Sequence, residues 1–144
     1  MGGAELDRTE ELGTHQFHVS ILDLRARIAH AKGDFERAEK YHLRSNFLCP
    51  ASETLVAAAA AAFDRGDVKR AEELAREAVA ISYRHKHDTQ SRLDLGKYLA
   101  CQLRYREALA CYLEVAEIDP DHTLAKQKIA DLEATLDVVE RDFE

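Results

Sequence analysis

Histidine and cysteine are the side chains best suited to hold a metal or attack a substrate near neutral pH, and this chain of 144 residues carries seven and three of them. His15 and His18 stand three apart, which sets two imidazoles on one face of a helix. Zinc takes three or four protein ligands, and the sequence brings no third residue to this pair, so both are read as surface histidines. His85 and His87 flank Lys86 and precede Asp88, the pattern of a solvated, partly cationic helix end. Cys49, Cys101 and Cys111 are odd in number and hold no Cys-x-x-Cys pair, which suits reduced thiols in a reducing compartment. No glycine-rich phosphate loop, His-Glu-x-x-His or Gly-x-Ser-x-Gly occurs, and the His, Asp and Ser residues lack the spacing of a catalytic relay. These residues point away from an enzyme, with no cofactor and no metal expected.

What remains is recognition by a surface, and a surface is positioned by the elements beneath it. At 16.2 kDa the chain has the size of one domain with its own core. Hydrophobic residues make up 46% and charged residues 33%, too apolar for a disordered chain, and no apolar run is long enough to expect membrane insertion. Two prolines, six glycines and abundant alanine favour an all-α fold over a sandwich or barrel, which needs more turn residues. A formal charge of −7 argues against nucleic acid as a partner. The opening Met1-Gly2-Gly3-Ala4-Glu5-Leu6-Asp7 has neither a basic start nor an apolar stretch, so a cytoplasmic location is expected. Leu6 stands where a myristoylation signal wants Ser or Thr.

The segment Gly33-Asp34-Phe35-Glu36-Arg37-Ala38-Glu39 repeats 33 residues later as Gly66-Asp67-Val68-Lys69-Arg70-Ala71-Glu72. A degenerate third copy, Leu103-Arg104-Tyr105-Arg106-Glu107-Ala108-Leu109, follows at an offset of 37 from Val68 to Tyr105. Pro50 and Pro120 each fall 15 residues after the aromatic of their unit, where a second helix would stop, and the middle unit has Tyr83 there. Between these marks the apolar spacing is helical. Phe17, Ile21, Leu24, Ile28 and Ala31 predict a helix from about 15 to 32. Asp34 caps a second helix that buries Phe35, Ala38, Tyr41 and Ser45. Ser52 is expected to cap a third helix at about 53–65, and Asp67 a fourth at about 68–85, with Ala71, Leu74, Ala75, Ala78 and Ile81 on one stripe. The four extra residues of the longer offset are placed in one added turn of that fourth helix. Two more helices, about 89–103 and 105–118, complete a third pair. Cys101 and Cys111 then lie at depths of about 4.5 and 10.5 Å below the turn on paired antiparallel helices, poor for a disulfide, so both are expected as buried thiols. A last helix at about 122–142 carries Leu124, Ile129, Leu132, Leu136, Val139 and Phe143 beneath a charged exterior.

On these residues the sequence resembles the tetratricopeptide repeat, a two-helix unit of about 34 residues. The resemblance rests on Gly33-Asp34-Phe35, Ala38 and Pro50 in the first unit and on Gly66-Asp67, Ala71 and Ala78 in the second. In the third it rests on Leu95-Gly96, Tyr105, Ala108, Tyr112 and Pro120. The usual Leu-Gly pair is Arg25-Ala26 in the first unit and Ala58-Ala59 in the second, and Val68 replaces the aromatic. The resemblance implies a right-handed α-solenoid of three antiparallel helix pairs, at about 19–51, 52–88 and 89–121, closed by a capping helix. Residues 1–14 are read as a loose acidic leader and 15–144 as one domain.

The resemblance further implies that the first helices of the three units line a concave groove that takes a peptide or helix of another protein. That geometry places Ser20, Asp23, Arg27 and His30 on the first wall, Glu53, Val56, Ala60 and Phe63 on the second, and Gln90, Asp94, Lys97 and Cys101 on the third. Residues 55–63 are apolar all round, so the middle helix is either buried on every side or presents an apolar floor to a ligand. The function expected is a non-catalytic adaptor. Two alternatives are a small chaperone for a secreted or unstable client, and a scaffold that assembles with itself through the last helix. Family members that bind acidic chaperone tails resemble one another in a basic clamp, whereas Asp23 beside Arg27 and Asp94 beside Lys97 mix the signs here. The acidity of the chain is also local. Glu5, Asp7, Glu10 and Glu11 against Arg8 leave −3 in residues 1–14, six acids against Arg141 leave −5 in 131–144, and residues 15–130 carry +1.

Overall fold

Gly33 and Gly66 adopt φ of 81° and 95°, a left-handed conformation that costs glycine nothing and ends a helix sharply. Each turn is closed in the same way. The Asp34 N–H donates to the Ala29 carbonyl and the Asp67 N–H to the Ala62 carbonyl, both at 2.9 Å, while the carboxylates of Asp34 and Asp67 accept from the N–H groups of Arg37 and Arg70. The next helix therefore starts one residue after the turn and runs back antiparallel.

The computed structural model describes the backbone of residues 4–82 and 88–142 and the side chains of 17–82 and 88–141. Among the described residues there are seven helices and no strand: α1 (Ala4–Ala31), α2 (Phe35–Leu48), α3 (Ser52–Asp64), α4 (Val68–Ser82), α5 (Gln90–Cys101), α6 (Tyr105–Ile118) and α7 (Thr123–Asp142). Each packs on its chain neighbour, and α3 also packs on α5 across the stack, so the pairs α1–α2, α3–α4 and α5–α6 form successive layers under α7. The continuous core joins Leu55, Leu74, Leu99 and Val115 through small residues, among them Ala58, Ala59, Ala71, Ala75 and Ala78, that let helix axes approach closely. The seven expected helices are present, and the all-α solenoid is the fold.

Several details depart from the expectations. The first helix begins at Ala4, so residues 4–14 continue α1 where a loose leader was expected. Leu6, Arg8, Glu10, Glu11 and Leu12 are good helix formers, and acids near a helix N-terminus are favoured by its dipole. The inward stripe of α1 is Leu22, Ala26 and Ala29, whereas Phe17, Leu24 and Ile28 of the periodic apolar set face water. Small residues win the inward position because α2 and α3 must both approach this helix. On α2 the buried residues are Ala38, Glu39, His42 and Ser45, with Phe35 and Tyr41 half-buried. Ala51, not Ser52, occupies the N-cap of α3, and its N–H is held by Asn46 Oδ1 at 3.0 Å. Helix α4 is described to Ser82, and the added turn expected of it, with His85, Lys86 and His87, lies outside the described residues. Cys111 is buried, which pushes its thiol up to about 11, but Cys101 is exposed because it ends α5 on the open side of the stack.

Two buried glutamates at equivalent repeat positions link the layers. Glu39 accepts from Arg65 Nη2, 3.2 Å from each carboxylate oxygen, and Glu72 accepts from Arg104 Nη1 at 2.7 Å and Gln102 Nε2 at 2.9 Å. Each donor comes from the turn of the following unit. Burial pushes the Glu72 carboxyl up, but Gln102, Arg76 and Arg104 together outweigh it and hold the group below the usual carboxylate range.

The third turn lacks the glycine. Leu103 takes its place at φ 64° with 71% of its surface exposed, and Arg104 caps α6 without a side-chain bond. A left-handed leucine costs about 1–2 kcal/mol and here has little contact to lose. After allowing for the unfolded-state entropy of glycine, Leu103→Gly is expected to stabilise the fold by about 1 kcal/mol, a rise of about 2–4 °C in thermal unfolding. A lower midpoint would show that the leucine is held by something the turn geometry does not reveal.

Candidate functional site

The stack sets α3 beside α5, and open cavities lie at two places beside the first helices of the units. At its first end, between α1 and α3, lies a cavity of about 560 Å³ lined by Asp23, Arg27, His30, Ala31, Glu53, Thr54, Ala57 and Ala60, with His42 of α2 at its base. Asp23 Oδ1 and His42 Nδ1 are 3.7 Å apart, and neither has a hydrogen-bond partner among the described residues. Burial pushes the His42 imidazole below the usual histidine range despite the neighbouring Asp23 carboxylate, and His30 and Arg27 add to that depression. His42 is therefore a neutral polar group under the cavity. His30 is fixed by an Nε2 to Asp64 Oδ2 contact of 2.9 Å and by an edge-on approach to the Phe35 ring at 5.0 Å. Arg27 and Glu53 form no ion pair among the described residues.

A second cavity of about 490 Å³ lies between α5 and α7. Gln90, Asp94, Lys97 and Cys101 form one side, Leu124, Lys128, Asp131, Leu132 and Thr135 the other, with Leu93, Ala100 and Tyr112 beneath. Gln90 Nε2 donates to Asp94 Oδ1 at 2.9 Å, and burial pushes the Asp94 carboxyl above the usual range. Between the two cavities Lys97 Nζ sits 4.4 Å over the Phe63 ring, which in turn lies 5.2 Å from Tyr98.

The structure thus gathers Asp23, Arg27, His30, Glu53 and Ala60 around the first cavity and Gln90, Asp94 and Lys97 around the second. Val56 and Phe63 line neither. Both are half-buried on α3 and pack against the core. The apolar run of α3 serves two faces at once: Leu55, Ala58, Ala59, Ala61 and Ala62 are buried, while Ala57 and Ala60 open onto the first cavity.

No family model matches the sequence, nor does any curated protein. Solved structures do match in shape. The chain is similar to the Sgt2 TPR domain from Aspergillus fumigatus, with a TM-score of 0.75 and 19% identity over 88% of this chain and 83% of that one. It is similar to the first TPR of Spaghetti (RPAP3) bound to the HSP90 peptide SRMEEVD, at 0.72 and 18% over 82% and 92%. It is also similar to the Yersinia enterocolitica type III secretion chaperone SycD in complex with a peptide of the translocator YopD, at 0.67 and 14% over 87% and 94%. The fold is that of a tetratricopeptide-repeat domain. Its three TPR units follow the 33- and 37-residue offsets of the sequence, and α7 stands in the capping position, with Ala125 and Leu132 buried, Ile129 and Leu136 half-buried, and Leu124 and Val139 exposed. Phe143 lies outside the described residues.

Two contributors to these cavities escaped the sequence reading. His42 comes from the second helix of its unit, yet Ala38-His42-Ser45 has the spacing of Ala71-Ala75-Ala78 33 residues on, so the repeat register held the signal. Lys128, Asp131 and Thr135 come from the cap, whose charged side sequence patterning assigns to solvent. Among the described residues no group of three or more His, Cys, Asp or Glu is placed to hold a metal ion.

Proposed function

We propose that this chain is a non-catalytic adaptor that takes a peptide or helical segment of a partner protein along its concave groove, with no nucleic acid and no membrane insertion involved. The observation that carries this reading is that residues from different units, Asp23, Arg27 and His30 from α1 and Glu53 and Ala60 from α3, converge on one open cavity. A second cavity beside Gln90, Asp94 and Lys97 supports the same reading. The stack holds these side chains in place before a ligand arrives, so the ordering cost falls mainly on the incoming segment. The SycD structure holds a client peptide on a similar fold, which keeps a chaperone for an unstable client as the second reading.

Cross-linking a partner captured from the native cell tests the proposal. The expected result places its segment against Lys97 and Lys128, the two groove lysines. Cross-links confined to α2, α4 and α6, the outer helices, would overturn it.

Groove charge also selects against one ligand class. Acidic C-terminal tails such as SRMEEVD need converging donors, but here Asp23 and Glu53 accompany Arg27, and Asp94 and Asp131 accompany Lys97 and Lys128. Calorimetry with that peptide is expected to give no heat of binding, whereas a micromolar dissociation constant would contradict it.

A further inference from the structure

The first cavity has a carboxylate at its base that no cation among the described residues neutralises. Three buried side-chain polar atoms lack a hydrogen-bond partner among the described residues, and two of them, Asp23 Oδ1 and His42 Nδ1, belong to residues that line this one cavity. Their separation of 3.7 Å is too long for a hydrogen bond. Buried polar groups are almost always paired, so two orphans in one cavity call for a cause. The His42 side chain is 8% exposed and that of Asp23 30%, so the imidazole is sealed beneath the cavity while part of the carboxylate opens into it.

The other charges of the cavity do not compensate that carboxylate. Burial keeps His42 neutral, and His30 is engaged by the Asp64 carboxylate at 2.9 Å, so that pair brings no excess positive charge. Arg27 and Glu53, both exposed at the rim, are opposite in sign and offset each other. One net negative charge therefore remains. In a partly enclosed site it is screened less than at an open surface. Ala57 and Ala60 give the cavity a small apolar wall, which suits the methylene stem of a long side chain whose charge is at its tip. A volume of about 560 Å³ lies within the range of ligand pockets.

We propose that the first cavity is a cation subsite that seats one basic side chain of the docked segment, arginine or lysine, with its stem against Ala57 and Ala60 and its charge on the Asp23 carboxylate. The proposal rests on the reading of the groove as a peptide site and adds which residue type that peptide carries. Arg27 at the rim opposes the incoming charge, so Asp23 and Arg27 act with opposite sign on the same ligand.

Titration of the whole chain with short peptides, followed by NMR, tests the proposal. The probes are acetyl-Ala-Ala-Arg-Ala-Ala-amide and its lysine counterpart, each against a neutral control of closely similar shape, citrulline for arginine and norleucine for lysine. At least one charged peptide is expected to bind about tenfold or more tightly than its control, to shift the amide signals of Asp23 and Ala60, and to weaken at high salt. Asp23→Asn keeps the shape and removes the charge, and is expected to abolish that preference. Arg27→Gln is expected to tighten the charged peptide about two- to fivefold. Circular dichroism checks that both variants are folded. Charged and neutral peptides that bind alike, or that all fail to bind, overturn the proposal, as does a preference that survives Asp23→Asn. Weaker binding of the charged peptide by Arg27→Gln overturns it too, because Arg27 would then attract the ligand. The two readings fail separately. A captured partner released by Ala60→Asp but not by Asp23→Asn leaves the groove standing and removes the cation subsite. A charge preference lost in Asp23→Asn, with partner cross-links confined to α2, α4 and α6, does the reverse.

Discussion

Gly96→Val is expected to destabilise the domain by about 3–5 kcal/mol, enough to unfold much of a chain of ordinary stability. A Cβ added at Gly96 would lie 2.9 Å from Cε2 and Cζ of Tyr112 and 3.3 Å from Cε1. Those atoms belong to a buried ring that shares the core with Leu99, Ala108 and Val115 and borders the second cavity, so the ring can shift only by giving up those core contacts. Alanine at this position recovers about 1 kcal/mol of helix propensity and still loses about 1–3 kcal/mol to overpacking, so Gly96→Ala should be mildly destabilising. Valine adds two further carbons and a stiff χ1. Urea unfolding of the two variants separates these effects, and native stability for Gly96→Val would mean that Tyr112 moves freely. The equivalent positions in the other units are Ala26 and Ala59, both fully buried, where a methyl is accommodated because His42 and Ala75 stand at the position Tyr112 occupies in the third.

Ala60→Asp is expected to weaken capture of the partner by about 100-fold or more while leaving the helices intact. Ala60 is half-buried and opens onto the first cavity beside Glu53 and Asp23. A third carboxylate there removes the small apolar patch that lets a partner backbone approach, and adds unpaired negative charge that a docked segment would bury. The fold tolerates the change because the new side chain points into the groove. Its neighbour Ala59, fully buried in the core, offers the contrast: Ala59→Asp should unfold the protein. Val56 is a less clean probe, since it also packs against the core. Calorimetry and circular dichroism on Ala60→Asp decide the matter, and undiminished binding would remove the groove as the recognition surface.

The helices and their order were legible in the sequence because their signals are local. Gly33-Asp34 and Gly66-Asp67 end one helix and cap the next through bonds that span only a few residues. Repetition at 33 and 37 residues then carries one local solution through the stack, and shape similarity to TPR domains at 14–19% identity agrees. Asp23, Arg27 and His30 of the first cavity were legible for the same reason, since they follow from helical period once the inner side is assigned by repeat.

The tertiary structure decided which side of α1 lies inward. By periodicity alone Phe17, Ile21, Leu24 and Ile28 form the better apolar stripe of α1, yet Leu22, Ala26 and Ala29 are buried, because two helices approaching one another select small side chains at the crossing. The stack also brought His42 beneath Asp23, matched Glu72 to Arg104 and Gln102 of the following unit, and turned Lys128 of the cap into the groove. These contacts join residues of different helices. Their partners are set by how layers rotate upon one another, which no spacing within a single helix encodes.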